Sequence, residues 1–531
     1  MYSSLRSRPA LGALLIFLVG LALGFTPLSA YALQIAIGAL LVVAVSLWGG
    51  WHCAPLRMVV FLLAASAFGF FVAANFKEHL SIGATAYEGT CRAVTLSEAN
   101  RTTHYQRVLT RFSDGKKVML YLPLSGECPQ IGDTLQLSRA TIVPTERQSQ
   151  ASYRHFLMSK GACGVCYPHT YRLYKAQHST SVRRFALSVR DRLLRRVDSL
   201  IESEESRAII YSVCFGYRNE SREVADKFRT VGAAHIMAVS GLHLGIVVYF
   251  VWFLLAPLIS SARQRRWLSI VVIAVAWIFA LLTGLSTPTI RAAFMLTLYE
   301  IADVWGVSRD RINVLAFSAF VLLAIHPGFL FDIGFQLSYM AILSIALFYP
   351  LFYKTGRERL RKNPLISYLY GLVALSISAQ VLTIPLILYH FGSTSLWALW
   401  SNIPLVILSG ALIPLVLITV LFIPSGMLFS TLGAIIAWLC NVILEVIESF
   451  LQMGGGMLRV QITLGGMMAL YLMVAALYQA VLILHHRVDG YEALYGSEKR
   501  LKESIRVPRK FTKPAYLDGL TSGSQPPLSI K

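Results

Sequence analysis

Residues 235 to 247 read HIMAVSGLHLGIV, an apolar stretch that carries two imidazoles and a hydroxyl group within nine residues. His235 and His243 are of a residue type that passes protons, and Ser240 could offer a hydrogen bond to a solute. In a helix the two imidazoles would lie about 12 Å apart, too far to share one metal ion. Ser240 and Gly241 could also unwind the helix, which is tolerated only against protein or a water-filled cavity. The stretch therefore predicts a polar pathway rather than a metal site.

Further polar side chains stand at matching depth in neighbouring apolar segments. Arg291 occurs in TGLSTPTIRAAFM and Gln336 in DIGFQLSYMA. Such groups by default face a bundle interior or a pathway. Helix–helix hydrogen bonding is the alternative, which explains Gln and Ser well but an arginine with two histidines less well. The pathway candidates are His235, Ser240, Gly241, His243, Ser286, Arg291, Gln336, Ser338, Gln380, Thr383 and Asn402.

The composition indicates the class of protein in which these polar residues lie. The 531 residues are 56% hydrophobic and 14% charged, whereas a soluble protein has roughly a quarter charged residues. The sequence therefore predicts a polytopic α-helical membrane protein. The formal charge of +21 fits positively charged cytoplasmic loops, a polyanionic substrate, or both.

Hydrophobic stretches predict about twelve spans, of which the short ones could be re-entrant or interfacial. The first resembles a signal peptide but lacks a convincing cleavage site, so we expect it to be retained. Lys and Arg cluster in alternate loops, which predicts that both termini are cytoplasmic and that residues 76–231 lie outside. The stretches are 9–25, 31–51, 57–75, 232–258, 266–283, 288–304, 312–326, 333–352, 365–390, 395–423, 427–450 and 462–485.

The outer segment begins with strand patterns and a probable hairpin at SDGKK, since Asp-Gly favours the turn. About five short strands predict a small extracytoplasmic β-barrel, with an OB-like fold as one form of it. Residues 76–182 hold 13 Lys and Arg against 7 Asp and Glu, so the barrel could bind single-stranded nucleic acid through Lys116, Lys117 and Tyr121. Tyr105 and Tyr153 are further stacking candidates, and a purely structural barrel is the alternative.

Four cysteines fall in this outer segment, namely Cys91, Cys128, Cys163 and Cys166. Disulfides are allowed outside the cytoplasm, so these four are disulfide candidates, and their pairing is left open. A zinc site is the rival interpretation, but a zinc ribbon would have two Cys-x-x-Cys pairs where this segment has one.

Residues 182–201 alternate apolar and basic side chains at helical spacing. Such a helix is expected to lie on the membrane surface. Arg183, Arg184 and Arg190 could form a basic collar that contacts DNA, or the helix could be a plain interfacial anchor. The tail 486–531 is basic and Pro-rich, which is typical of disorder beside anionic lipid.

Several motifs are absent from the sequence. No G-x-x-x-x-G-K-[ST] occurs, so no P-loop drives transport with ATP. No H-E-x-x-H or H-x-H-x-D-H occurs either. We therefore expect no enzymatic activity, no metal and no cofactor.

An ordered set of motifs resembles the ComEC competence family, the inner-membrane channels for DNA uptake. The segment AAHIMAVSGLHLGIV carries the resemblance, together with FGYRNESREVADKFRTVGAAH before it. TGLSTPTIRAAFM, HPGFLFDIGFQLSYMAILSI, PLILYHF and SNIPL follow in family order. With the outer segment, the resemblance covers most of the chain. It implies N-terminal transmembrane spans in 1–75, an OB-like periplasmic domain in 76–181, amphipathic interfacial helices in 182–231, the channel in 232–485 and a cytoplasmic tail in 486–531.

The resemblance implies a function as well. It implies a channel in the bacterial inner membrane that translocates single-stranded DNA from periplasm to cytoplasm in natural transformation. The implied partners are a periplasmic DNA receptor, a cytoplasmic DNA translocase, single-strand-binding proteins and the lipid bilayer. Many members end in a metallo-β-lactamase-like domain that this chain does not contain, so a separate nuclease could act in its place. The rival hypothesis is a secondary transporter for a small anionic solute with a histidine proton relay. A membrane-anchored binding module would leave the polar spans unexplained.

Overall fold

The computed structural model describes residues 9–26, 54–81, 85–102, 104–168, 170–175, 182–217, 221–305, 310–360, 363–454 and 456–484. The strands are β1 (Thr85–Thr95), β2 (Asn100–Arg101), β3 (Tyr105–Phe112), β4 (Lys117–Pro123), β5 (Thr134–Pro144), β6 (Gly164–Cys166), β7 (Thr170–Tyr174), β8 (Ser393–Ser395) and β9 (Met457–Arg459). The helices are α1 (Pro9–Gly24), α2 (Ala54–Leu80), α3 (Ala151–Lys160), α4 (Val182–Asp198), α5 (Glu204–Phe215), α6 (Arg222–Thr230), α7 (Gly241–Leu255), α8 (Ala262–Leu282), α9 (Thr287–Val304), α10 (Arg311–Ile325), α11 (Ile333–Leu360), α12 (Pro364–Phe391), α13 (Ala398–Phe422) and α14 (Met427–Gln452), followed by α15 (Leu464–Leu484). Two compact units meet at residue 467 within α15, and the barrel, α1 to α14 and every described site residue belong to the first.

Five strands close into a small barrel. Their order is β1-β3-β4-β6-β5, and β5 pairs again with β1 to close the ring. The β4–β6 pair is parallel and the other pairs in the ring are antiparallel. Alternate residues of β3 and β4 point inward, as a half-buried strand requires, and Leu120 and Leu122 are fully buried. Gly115 turns the β3–β4 hairpin with φ of 84°, so the predicted hairpin at SDGKK and the predicted barrel are confirmed.

Seven helices among the described residues are long and apolar enough to cross a membrane. The membrane-crossing stretches of these helices begin at Gly241, Arg263, Ile333, Pro364, Ala398, Met427 and Leu464. Pro9–Gly24 and Arg311–Ile325 are shorter apolar helices. The protein is therefore a multi-pass membrane protein. The predicted span at 31–51 lies wholly outside the described residues, and the count of about twelve stays a prediction.

The segment 182–231 differs from the interfacial helices that the sequence predicted. Helix α4 does bury one face, including Ala186 and Val197. Helix α5 is instead buried almost throughout, from Ala208 to Phe215, within the main apolar core of the helical domain. The physical reason is its sequence AIIYSVCF, which is apolar on every side and leaves no face for water.

The barrel rests on the helical domain through α3. This helix packs on the barrel through Leu157 and contacts the turn Pro327–Phe331, which joins α10 to α11. His155 of α3 stacks on Phe331 with ring centroids 5.3 Å apart. We call this contact between α3 and the turn Pro327–Phe331 the joint, and the helix ends next to it the barrel side.

Candidate functional site: the barrel-side end of the helical domain

Ser240 and His243 form the start of α7. Ser240 is the extended N-cap residue, and its Oγ accepts a hydrogen bond from the N–H of Leu242. Nδ1 of His243 accepts from the backbone N–H of Ser240 at 3.1 Å and lies 2.8 Å from the Ser240 Oγ. This is a capping box in which histidine stands where Glu or Gln is usual.

The expected span 232–258 therefore begins later than predicted. Residues 232–240 form turns, and the helix starts at Gly241. Ser401 of α13 holds the turns by donating to the carbonyl oxygen of Val231 at 2.7 Å. His243 is only 1% exposed, whereas His235 is exposed. Sequence composition could not separate apolar turns from an apolar helix, and the proton relay stays a prediction.

Arg291 is buried in the first turns of α9, with 1% of its surface exposed. Its Nη2 donates to the carbonyl oxygen of Gly334 at 2.8 Å, and its guanidinium carbon lies 5.3 Å from the centroid of the Phe335 ring. Nε and Nη1 are also buried and have no hydrogen-bond partner. Among the described residues no carboxylate forms an ion pair with this arginine. A buried donor without a partner costs about 1–3 kcal/mol, and more when it is charged.

Gln336 lies in the first turn of α11, two residues after Gly334, whose carbonyl oxygen accepts from Arg291. Its Nε2 donates to the carbonyl oxygen of Leu330 at 2.7 Å, and its Oε1 lies 3.0 Å from Nε2 of His390. Because an amide oxygen only accepts, His390 carries its proton on Nε2 in this contact. The start of α7 is close by, since a Cβ at Gly241 would lie 3.5 Å from the Cβ of Ala292. The structure thus brings the capping box, Arg291 and Gln336 to neighbouring helix starts.

Other predicted pathway residues bond locally. Gln380 donates to Ser376 Oγ at 3.3 Å, and Thr383 donates to the carbonyl oxygen of Ala379, both within α12. The Oγ of Ser286 lies 2.5 Å from the Oγ1 of Thr289 at the start of α9. Ser338 is half-buried in α11. The buried Oδ1 of Asn402 has no hydrogen-bond partner.

The predicted collar arginines contact protein instead of lying free. Arg183 donates to the carbonyl oxygens of Leu96 and Gly284, and Arg184 lies 3.6 Å from Asp133. Arg190 is 2% exposed, forms a two-pronged ion pair with Glu98 and covers the Tyr217 ring. Leu96, Glu98 and Asp133 belong to barrel loops, so these guanidinium groups hold the barrel to the helices. This occupancy argues against the predicted DNA contact, because the loops supply the acceptors that a phosphate would replace.

Four tyrosines form a cluster on the outer face of the barrel, which we call the tyrosine platform: Tyr105, Tyr121, Tyr153 and Tyr167. Tyr121 stacks on Tyr167 with centroids 5.0 Å apart, and its hydroxyl lies 2.7 Å from that of Tyr153. Tyr105 is 44% exposed and Tyr167 is 54% exposed. Burial and the neighbouring tyrosines raise the pKa of Tyr167, which keeps the ring neutral.

Positive charge lies next to the platform and at the joint. The Arg107 guanidinium sits 4.5 Å above the Phe156 ring, beside Tyr153. Lys116 pairs with Asp114 at 3.9 Å and is partly exposed. Burial and the charge of Arg111 lower the pKa of Lys117, whose own charge reaches His326 at the joint. The predicted binding residues Lys116 and Lys117 therefore lie at the β3–β4 hairpin, whereas Tyr121 lies in the tyrosine platform.

The four barrel cysteines are free thiols, so no disulfide links these described residues. Cys91, Cys163 and Cys166 lie in the apolar barrel core, and Cys128 stands exposed on a loop. Burial raises the pKa of Cys163 to about 11 and that of Cys166 to about 12. The predicted disulfide is thus not formed: the core accommodates the thiols as small apolar groups. No group of three or more His, Cys, Asp or Glu side chains converges as a metal site within the described part of the chain.

The sequence did not identify three residues of this region as site residues: Tyr167, His390 and Lys160. Tyr167 follows β6 directly, and only the parallel pairing of β6 with β4 brings it to Tyr121. His390 ends α12 and meets Gln336, which is 54 residues away in the chain. Lys160 ends α3 and approaches Asp332 at 3.8 Å. A strand pattern in the sequence predicts that a strand forms, but it does not give the register between distant strands.

Residues 213–486 match the model of a protein family described as Competence protein. The chain is 24% identical over 343 residues to ComE operon protein 3 of Bacillus subtilis, which is 63% of this chain and 41% of that protein. It is 26% identical over 255 residues to Recombination protein 2 of Haemophilus influenzae, covering 46% and 32% of the two chains. It is 31% identical over 199 residues to Competence protein ComA of Neisseria gonorrhoeae, covering 35% and 28%. The matches thus span less than half the length of each of these relatives. No solved structure matches the chain.

Proposed function

The chain belongs to the competence protein family, and from this premise we propose that it is an inner-membrane channel that passes single-stranded DNA from the periplasm to the cytoplasm. The family match covers the helices that hold Arg291, Gln336 and the capping box. The names of the relatives refer to competence and recombination. Both processes handle DNA, which supports a DNA substrate over a small solute.

The proposal rests on the environment of Arg291 in the structure. Arg291 is a buried cation whose Nε and Nη1 are unmatched, and within the described part of the chain no carboxylate is paired to it. Leaving such donors unmatched costs free energy, and phosphate oxygens of a passing DNA backbone could accept hydrogen bonds from them. The amide group of Gln336 and the imidazole of His390 are hydrogen-bonded to each other and offer polar contacts without an ion pair. Neutral groups suit conduction, because a pathway that binds its substrate too tightly does not release it.

The barrel fits the receiving end of this pathway. We take it as an OB-type barrel in the periplasm, since five strands in a closed ring are typical of that fold. The tyrosine platform offers faces for unpaired bases, with Arg107 nearby for phosphate. Twelve spans with both termini in the cytoplasm complete the proposed topology, in which α7 and α9 both begin at the periplasmic side.

The remaining parts of the proposal concern partners. A periplasmic receptor would deliver DNA, and a cytoplasmic translocase with single-strand-binding proteins would draw the strand inward. A separate nuclease would remove the complementary strand, since we propose no enzymatic activity for the described helices and barrel. The sequence has no G-x-x-x-x-G-K-[ST] motif, so ATP-driven movement is assigned to the translocase.

The test compares Arg291→Ala and Arg291→Lys in cells whose own copy of the gene is deleted. Labelled duplex DNA is added, and its protected periplasmic and cytoplasmic fractions are measured separately. Arg291→Ala should keep folded protein and periplasmic DNA but lower cytoplasmic DNA about tenfold or more. Arg291→Lys should keep part of the transport, because it retains the charge without the planar fork.

Arg265→Ala is the matched control for this test. It removes an arginine that is 70% exposed and 3.5 Å from Asp303, at the start of another helix of the domain. Cytoplasmic DNA should be normal in this variant. Wild-type transport by a well-folded Arg291→Ala protein would remove Arg291 from the pathway.

A further inference from the structure

The first turn of α11 is held from two directions. From within the helical domain, Arg291 donates to the carbonyl oxygen of Gly334 at 2.8 Å. From the barrel, Nζ of Lys160 lies 3.8 Å from Oδ2 of Asp332, the residue just before α11. The other oxygen of that carboxylate, Oδ1, accepts from the N–H of Phe335 at 2.8 Å and so caps the helix. One turn therefore connects the barrel to the buried arginine.

Asp332 is the carboxylate whose charge reaches Arg291, yet the two do not pair. Both of its oxygens are already engaged, one by the N–H of Phe335 and one by Lys160. If Lys160 did not engage Oδ2, that oxygen would be expected to form an ion pair with the buried guanidinium. That pair would neutralise the charge of Arg291 and occupy a donor that is now unmatched.

The joint controls whether Lys160 can reach this carboxylate. Lys160 is the last residue of α3, which packs against the turn Pro327–Phe331. The packing is tight, because a Cβ at Gly328 would lie only 2.4 Å from the carbonyl oxygen of Met158. A small displacement of the barrel would therefore withdraw Lys160 from Asp332.

We propose that Lys160 and Asp332 are positioning residues that keep Arg291 open for an anion: the docked barrel engages Asp332 and thereby prevents it from pairing with the arginine. The anion in question is the phosphate of the DNA backbone, so the inference rests on the proposed function. Barrel docking then regulates the pathway, because an undocked barrel frees Asp332 to close the Arg291 site.

The decisive experiment is a rescue in the full-length protein, with DNA reaching the cytoplasm as the readout. Lys160→Met should lower cytoplasmic DNA about tenfold, because Asp332 is released to pair with Arg291. Asp332→Asn alone should transport nearly normally, since an asparagine oxygen still caps α11 but carries no charge. The double variant Lys160→Met with Asp332→Asn should recover transport. A merely structural ion pair predicts the opposite, with equal losses in both single variants and no recovery in the double.

Two controls make the outcome specific. Lys175→Met removes an exposed barrel lysine that pairs with Glu127 at 2.9 Å, and it should have no effect. Asp310→Ala removes an equivalent helix cap, from α10, and its transport per folded molecule should be normal. Normal transport in Lys160→Met, or a loss that Asp332→Asn does not restore, would overturn the inference. If Asp332→Asn does not fold, Asp332→Ser, which also caps without charge, takes its place in the same comparison.

The result also separates this inference from the proposed function. If Arg291→Ala blocks transport while the rescue fails, the channel proposal stands and the positioning role is lost. If Arg291→Ala transports normally, the channel proposal itself fails at its central residue.

Discussion

Nδ1 of His243 accepts a hydrogen bond from the backbone N–H of Ser240, three residues earlier, and so closes the first turn of α7. The ring nitrogen that a proton relay would need is thus bonded to the helix end. Ser240 returns the bond by accepting from the backbone of the same turn. The two residues that first suggested solute chemistry act as a helix start inside an apolar environment, where an uncapped N–H would be costly.

The capping box gives a first prediction. His243→Ala should destabilise the protein by about 0.5–2 kcal/mol, because one backbone donor loses its acceptor. His243→Gln should retain stability, since Gln is a usual partner in the box. Thermal unfolding in detergent measures both. Gln264→Ala is the matched control, because Ser261 and Gln264 form the same box at the exposed start of α8.

The same pair of variants distinguishes the two functional hypotheses. A proton relay requires the imidazole, so transport through it would fail in His243→Gln. The channel proposal expects DNA uptake by His243→Gln to match the wild type, because the substitution keeps the helix start. Uptake lost in His243→Gln at normal protein level would favour the transporter.

The tyrosine platform gives a second prediction. Tyr167→Ala should weaken binding of a single-stranded oligonucleotide to the purified protein about tenfold, since stacking on one aromatic contributes ~1–3 kcal/mol per base. Tyr167→Phe should bind normally, because the ring remains. Tyr174→Ala is the control: this residue is 50% exposed on the same barrel and bonds Gln136 instead of other rings. Equal affinity of Tyr167→Ala and Tyr174→Ala would argue against the platform as a DNA site.

Helix α3 explains why the platform could not be predicted in full. In an OB-type barrel the face of the second and third strands usually binds oligonucleotides, and β3 and β4 hold those positions here. Leu157 of α3 packs with Leu109 and Met119 on the middle of this face. The side chains of Tyr105 and Tyr167, next to Tyr121, remain exposed. Strand patterns predicted the barrel, but which part of its face α3 covers depends on contacts between distant segments.

In the helical domain, too, local features could be predicted from the sequence and contacts between distant segments could not. The apolar stretches predicted the seven long apolar helices α7, α8 and α11 to α15, because length and hydropathy are local properties. The environment of Arg291 depends on Gly334, 43 residues later in the chain, and the local sequence around the arginine does not show this contact. The sequence suggested a DNA-contacting collar for the arginines of α4, because a helical wheel does not show that Glu98 and Asp133 lie opposite them.

The thiols give a third prediction. In the native protein a maleimide reagent should modify Cys128 fast and the core thiols Cys91, Cys163 and Cys166 slowly, because burial shields them and raises their pKa. After denaturation without reductant, all four should be modified. Mass spectrometry of the barrel peptides reads out each site. Persistent protection of a pair under denaturing conditions would indicate the disulfide that the sequence first suggested.

The joint gives the last prediction, which concerns pH. His326 lies in the joint between Phe76 and Phe329. Burial and the positive charges of Lys117 and Lys160 lower its pKa, and the opposing charge of Asp332 is a smaller effect. A histidine released from the joint would have the ordinary pKa of about 6.5.

The direction of the pH effect follows from these two states. Above about pH 7 the imidazole is neutral whether docked or free, so it contributes nothing to the pH dependence. As pH falls through about 6.5, the free form takes up a proton that the docked form resists. Acidification therefore favours undocking, and the stability of the joint declines until pH reaches the lowered pKa of the docked residue.

Hydrogen exchange of the α3 backbone measures this effect. Protection of α3, corrected for intrinsic exchange, should be greatest near neutral pH and decrease below about pH 6.5 in the wild type. His326→Gln should flatten that decrease, because the titrating group is gone. His155→Gln measures how much the second histidine contributes to the pH dependence. Burial and the charge of Arg154 lower the pKa of His155 as well. Gly328→Ala should lower protection at every pH, since its Cβ would collide with Met158. An unchanged pH profile in His326→Gln would show that this residue does not govern the joint.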